Sequence, residues 1–196
     1  MKKIITLLVG IVFWGSGFSQ STFQNMYFNN YLSNGKYLTL GTDGNIVIAG
    51  EYITLSMNYW NLFIYKLNNT GDTLWTKLIG DTTGQGPEDI LTTSDGGYFI
   101  TGITKGNTPL LADVLALKLD SSGNVVWVKS IGGVAADVGS GACTTSDGGF
   151  CIAGSCSGAT PDAYLVRLDG NGNLLWAKSY RELGNSSETF RDVRQT

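Results

Sequence analysis

The sequence predicts an all-β chain of β-propeller type, made of four-stranded blades, about three of them plus the first strand of a fourth. Three observations predict it. One module repeats three times at a period of about 52 residues, short apolar and β-branched runs are cut by glycine-bearing turn signals, and the inner runs are apolar on both faces.

The repeat is read from its anchors. Asp43-Gly44, Asp95-Gly96 and Asp147-Gly148 are spaced by 52 and 52 residues, and Trp75, Trp127 and Trp176 by 52 and 49. Between them IVIAG at 46–50 matches YFITG at 98–102 and FCIAG at 150–154, while NLFIYKLN from 61 answers DVLALKLD from 113 and DAYLVRLD from 162. Each module reads as four short strands, in the second approximately Asp89 to Thr93, Tyr98 to Ile103, Val114 to Leu119 and Val125 to Ser130. Val114, Leu115, Ala116 and Leu117 leave no solvent side, so such a strand needs cover above and below. Four-stranded sheets stacked around an axis supply it.

In chain order, residues 1–19 have the parts of a cleaved export signal: Lys2 and Lys3, an apolar stretch from Ile4 to Trp14, and small residues ending at Ser19. That stretch is short for a membrane span, and no later one approaches the roughly 20 apolar residues a membrane helix needs. Secretion or cell-surface display of a soluble chain beginning near Gln20 is therefore expected, without membrane insertion. Blade 1 is placed at about 22–80, blade 2 at 81–132, blade 3 at 133–181 and the start of blade 4 at 186–196.

The Ser94-Asp95-Gly96-Gly97 step suits a two-residue hairpin, because Asp and Gly both tolerate positive φ. The turn between third and fourth strands recurs as Asn69-Thr70-Gly71-Asp72, Ser121-Ser122-Gly123-Asn124 and Gly170-Asn171-Gly172-Asn173, and a backbone reason suffices for its glycine. Glu188 to Thr196 reads as a further first strand, with Gln195-Thr196 where Thr144-Thr145 precede the Asp-Gly turn. Three blades and a strand do not close a ring, so further blades of a longer chain, or self-association, are expected to cover the apolar end faces.

Composition excludes several functions. Without Lys2 and Lys3 the 13 basic residues become 11 against 16 acidic ones, moving the formal charge from -3 to -5, which argues against nucleic acid as a partner. The absence of histidine removes imidazole bases, Ser-His-Asp systems and histidine metal sites, leaving carboxylates for any catalysis.

Modules of the form T-S-D-G-G-[YF]-x-I-x-G, then D-x-x-x-x-[KR]-L-D-x-x-G-N-x-x-W-x-K, resemble the propeller-type repeats of secreted Bacteroidetes proteins over about residues 37–196. The resemblance implies the fold and export as type IX secretion cargo, although the sorting domain expected of such cargo is not in this sequence. Asp120, Gly123 and Trp127, like Asp169, Gly172 and Trp176, also resemble the tryptophan-docking repeat of quinoprotein dehydrogenases. The Asp-to-Gly interval is one residue short, and the first module has Asn68. That likeness implies only that Trp75, Trp127 and Trp176 wedge between neighbouring blades; no cofactor or metal is expected.

Candidate binding residues lie on the variable connections. Thr54 to Trp60 ends in Tyr59 and Trp60, an aromatic pair able to stack on a sugar ring; alternatively, Trp60 plugs the blade edge. Glu88, Asp137 and Glu188 fall on blade-to-blade connections and are expected to converge near the axis as solvated acids, a cation site or, in a carbohydrate-active enzyme, a catalytic pair. Asn61, Asp113 and Asp162 recur at the entrance to the third strand, where a turn carboxylate accepts backbone hydrogen bonds. Asp169, Asn171 and Asn173 have the spacing that begins a calcium loop without its later glutamate, so a plain turn is expected. With a two-residue turn at Asp147-Gly148, Cys143 would face Ile152 and Cys151 would face Thr144, on opposite sides of the sheet. Cys156 would pair opposite Gly139, out of disulfide reach.

The reading that follows is an exported, non-catalytic propeller module for binding or surface display, with a glycan or an extracellular protein as partner. Its rivals are a glycoside hydrolase using top-face carboxylates and a structural spacer of a large adhesin.

Overall fold

A computed structural model of the chain describes residues 32–53, 59–80, 84–105, 112–133, 135–157, 161–181 and 187–196. The expected export signal and the start of blade 1 lie outside these residues. The described part is all-β. Its first sheet holds β1 (Leu32–Leu40), β2 (Ile46–Ile53), β3 (Asn61–Leu67) and β4 (Thr73–Ile79). The second holds β5 (Gln85–Thr92), β6 (Tyr98–Thr104), β7 (Asp113–Leu119) and β8 (Val125–Ile131), and the third β9 (Asp137–Thr144), β10 (Phe150–Cys156), β11 (Asp162–Leu168) and β12 (Leu174–Tyr180). All three are antiparallel meanders in sequence order. No described helix is long and apolar enough to cross a membrane.

The strand pattern of period two explains how the sheets pack. In the middle sheet Tyr98, Ile100, Leu115, Leu117 and Leu119 join Val47, Ala49, Leu62 and Ile64 of the first sheet in one buried cluster. The alternate residues Phe99, Val114 and Ala116 join Phe150, Ile152, Val166 and Leu168 of the third sheet in another. The middle sheet is thus apolar on both faces because both are covered, whereas the fourth strands β4, β8 and β12 stay largely exposed. Trp75 meets Tyr98 of the second sheet edge-on at 6.2 Å, and Trp127 meets Phe150 of the third at 5.8 Å, beside a Phe99–Phe150 stack at 4.1 Å. Trp176, on the last strand, is 39% exposed.

Three sequence expectations need correction. The Asp-Gly turns are three-residue loops. Thr93 N–H donates to Gly97 O at 2.9 Å and Gly96 N–H to Thr93 O at 2.9 Å, with Gly96 at φ 78 and no non-glycine residue at positive φ among those described. A type I turn followed by one left-handed glycine satisfies the strand twist, so Asp95 need not leave its ordinary backbone region. The longer loop shifts the register by one residue. Cys151 therefore lies directly opposite Cys143, and a further one-residue shift at the bulge that skips Ser140 puts Cys156 opposite Asp137 instead of Gly139.

Second, each first strand carries a bulge that skips one residue, and the strand begins earlier than expected: β5 starts at Gln85, with Glu88 unpaired between Pro87 and Asp89. Lys36 is skipped in β1 at the corresponding place. A proline is tolerated there because β5 is an edge strand. Third, residues 187–196 form no strand. They lie along the third sheet through Glu188 N–H to Pro161 O (3.0 Å) and Phe190 N–H to Gly154 O (3.1 Å), with no ladder partner among the described residues.

Candidate functional site

One backbone bond repeats between consecutive modules and positions the variable side chains. Gln85 N–H donates to Trp60 O at 2.7 Å, Asp137 N–H to Ala112 O at 2.6 Å, and Glu188 N–H to Pro161 O at 3.0 Å. The carbonyl partner is free to change type because only its backbone is used. In the first module it bears an indole. Tyr59 and Trp60 are 38% and 43% exposed, and the rest of their loop, 54–58, lies outside the described residues.

Together with Glu51, Gln85, Gly86, Ile103 and Lys105 they line a concavity of about 210 Å³ between the first two sheets. Its floor is fixed by two more contacts. Lys105 N–H donates to Gly84 O at 3.0 Å, and Gly84, at φ 88, carries the chain past Tyr59 in a conformation that favours glycine. Glu51 reaches this rim ion-paired to Lys36 at 2.7 Å, its carboxylate resting on the bare backbone of Gly86. Two aromatic side chains, a carboxylate, an amide and a lysine therefore line one small cavity. Volumes of about 300 Å³ and more accommodate drug-sized ligands, so this one admits a single ring with the remainder outside.

Of the acids expected to converge, Asp137 and Glu188 stand at one repeat position, with their N–H groups on the Ala112 and Pro161 carbonyls, whereas Glu88 lies elsewhere. Glu88, the bulge residue, accepts a 2.7 Å hydrogen bond from the Tyr37 hydroxyl of the neighbouring first strand. Burial, and then Glu88 itself, push that hydroxyl up to about 12. Asp137 opens β9 and is 5% exposed. Its equivalent one period earlier is Gln85, not Glu88, so Glu88 and Asp137 differ by three register positions, roughly 10 Å along a strand. Counting 52 back from Asp137 would have found Gln85 in the sequence, whereas Glu51 and Lys105 carry no signal beyond being polar.

Asp137 stands close to Asp113. Gly133 N–H donates to Asp137 Oδ2 at 2.9 Å and Ser130 Oγ to Asp113 Oδ2 at 2.7 Å. Both carboxylates crowd the point where a side chain on Gly132 would begin, Asp137 Oδ2 at 2.8 Å from it and Asp113 Oδ1 closer still. Burial, opposed by the Gly133 N–H, raises the Asp137 pKa, and the Asp113 charge raises it further. In the third module Arg181 stands where Gly132 does, and its Nε and Nη2 clasp Asp162 at 2.6 and 3.0 Å. The recurring acid at the third-strand entrance thus takes side-chain partners here, contrary to the backbone role expected for it.

The turn residues are fully engaged. Asp43, Asp95 and Asp147 each receive a backbone N–H of their own loop and pair with a basic residue of the third strand: Lys66 at 2.6 Å, Lys118 at 2.8 Å and Arg167 at 2.6 Å. This accounts for the K/R of the repeat. Asp169 Oδ1 accepts Asn171 and Asn173 N–H at 2.9 and 2.8 Å, which makes the calcium-like spacing an Asx turn. Asn68 does the same in the first module, accepting Thr70 and Asp72 N–H. The turn glycines have a second reason beyond backbone freedom: a Cβ on Gly123 would stand 2.8 Å from the Trp75 ring, and one on Gly172 2.9 Å from Trp127.

No protein-family model matches this chain, and no curated protein matches it.

Proposed function

We propose that the chain is an exported, non-catalytic β-propeller module that binds a glycan, one sugar ring of which rests on Tyr59 and Trp60. The observation that carries this reading is the pair of solvent-facing aromatics at a cavity that also holds Glu51, Gln85 and Lys105. Ring faces give apolar contact to the C–H side of a sugar, and the surrounding carboxylate, amide and ammonium match its hydroxyls. A protein partner would ask for a larger apolar surface than one small cavity offers.

The propeller reading is supported by first strands that approach one another across neighbouring sheets while fourth strands lie exposed, and by the Trp75 and Trp127 wedges. Further blades, of a longer chain or a second copy, would then cover Leu38 and Leu40 on β1 and Trp176 on β12, which are 68%, 61% and 39% exposed. A glycoside hydrolase has one observation in its favour, the proximity of Asp113 and Asp137. Asp137 is nearly inaccessible, however, and the aromatic pair lines a cavity at a different sheet interface.

The test is titration with cellotetraose, laminaritetraose and chitotetraose, followed by calorimetry and tryptophan fluorescence. At least one should bind the native chain, and Trp60→Ala should weaken it by tenfold or more with an unchanged circular dichroism spectrum. Binding that survives both Tyr59→Ala and Trp60→Ala, or no binding to any of the three, overturns the assignment.

A further inference from the structure

We propose that Cys143 and Cys151 form a dithiol–disulfide site, closing a cross-strand disulfide when a small-molecule disulfide oxidant is present, with Cys156 excluded from it. The placement follows from the hairpin. Thr145 N–H bonds Gly149 O at 2.9 Å, Gly148 N–H bonds Thr145 O at 2.8 Å, and Gly148 takes the one left-handed conformation, at φ 82. That three-residue loop sets Thr144 opposite Phe150 and Cys143 opposite Cys151. Directly opposed residues of an antiparallel ladder lie about 4.5 to 5.5 Å apart at Cα, within the range of about 4.4 to 6.8 Å that a disulfide spans, and their side chains leave the same face.

The pair has been given a particular setting. Cys151 is also opposite Arg167, and Arg167 opposite Trp176, so the two thiols, a guanidinium and an indole form one row across the third sheet. In the middle sheet the corresponding row is Leu91, Phe99, Lys118 and Trp127, whose Phe99 stacks on the next sheet. The thiols therefore replace a hydrophobic pair on the packing face. They are partly buried beside a cavity of about 320 Å³ lined also by Asp147, Arg167, Val193 and Gln195. Gln195 hydrogen-bonds Ser146 from both sides, accepting its N–H at 2.6 Å and donating to its Oγ at 2.9 Å, so the C-terminal segment lies against the thiols.

Cys156 does not compete. It is five residues beyond Cys151 on the same strand, about 16 Å along it and pointing to the other face. In the exchange, one thiolate attacks the oxidant's disulfide and releases one thiol. The second thiolate then attacks the mixed disulfide and releases the other, so two thiols are oxidised, two protons leave and the oxidant is reduced to two thiols. The loop enclosed is short, so closing the bond adds little loop-closure stabilisation.

The full chain, reduced and then incubated with oxidised glutathione, tests this. Cleavage before Asp147 separates the peptide holding Cys143 from the one holding Cys151 and Cys156. The expected product joins those peptides through Cys151, with Cys156 free for alkylation or carrying glutathione. Cys156→Ser should still lose two hydrogens and then take up no maleimide, while Cys143→Ser should form no intramolecular bond. A cross-link through Cys156, or native chain whose Cys143 and Cys151 are both glutathionylated or alkylated after oxidation, overturns the proposal.

Discussion

Lys118 and Asp95 close the second-sheet hairpin as an unequal pair: Nζ lies 2.8 Å from Oδ2, yet the lysine side chain is 7% exposed and the aspartate 63%. Lys118 also donates to the carbonyl of Leu119 at 3.0 Å, so its ammonium depends on this corner for all its partners named here. Removing either member breaks the same bond and leaves a different remainder. Asp95→Asn strands a buried ammonium and should cost about 3 kcal/mol, near the low end for a broken buried pair. Lys118→Met leaves an exposed carboxylate that water solvates, and should cost about 1 kcal/mol or less. Urea unfolding of the two variants checks the order, and equal costs would contradict it.

Acid should weaken the same corners. The Lys66 contact first, then Asn45, hold Asp43 at about 2. Burial works to raise Asp95, but Lys118, Thr93 and Gly97 bring it to about 2, and Thr145, Gly149 and Arg167 do so for Asp147. Each folded value is below the ordinary one near 4. The stabilisation is therefore complete above about pH 4 and is lost as pH falls through about 2. Denaturation midpoints across that window should fall, and fall less in Lys118→Met.

Asp89 runs the other way. Burial raises its pKa, while the N–H groups of Ala142, in the next sheet, and Ile90 lower it in part. An acid raised in the fold favours the folded state below its ordinary pKa and loses that contribution as pH rises through the folded value. Asp89→Asn keeps an acceptor for Ala142 N–H and removes the buried charge. It should stabilise the chain at pH 7 and be neutral near pH 3, as read from the shift in urea midpoint at the two conditions.

Two glycines separate backbone strain from packing. Gly148 at φ 82 and Gly172 at φ 77 share a conformation, but a Cβ on Gly148 meets nothing within 4 Å while one on Gly172 meets Trp127. Gly148→Ala should cost about 1 kcal/mol, the left-handed penalty alone. Gly172→Ala should cost more, by the displacement of an indole seated between the second and third sheets, and should shift the Trp127 fluorescence. Equal costs would show that the ring slides aside freely.

The sheets were legible because their signals are local. The uninterrupted burial of Tyr98 to Gly102 and of Val114 to Leu117 follows directly from both faces of the middle sheet being covered. The register was not, because Asp-Gly is compatible with two loop lengths, and only the hydrogen bonds at Thr145 and Gly149 decide between them. That single residue of slip reversed the relation of Cys143 to Cys151. At the candidate site, aromatic type marked Tyr59 and Trp60, while Glu51 and Lys105 arrive from other strands and have no sequence mark.

Glu51 gives the sharpest separation of binding from stability. A Cβ on Gly86 would strike its carboxylate oxygen, and the next neighbour, Ile103 Cγ1, stands at 3.5 Å. The obstruction is thus the far end of a flexible side chain, which can swing away from the cavity and from Lys36, its partner at 2.7 Å. The side chains of this pair are 27% and 16% exposed, so it should contribute about 1 kcal/mol to stability, and Gly86 lies in an extended strand that alanine can adopt. Gly86→Ala should therefore lower the unfolding midpoint only slightly while removing one hydrogen-bond acceptor from the ring site. The expected loss is about fivefold to tenfold in oligosaccharide affinity, the equivalent of one polar contact. Unchanged affinity would remove Glu51 from the site and leave recognition to the aromatic pair, Gln85 and Lys105.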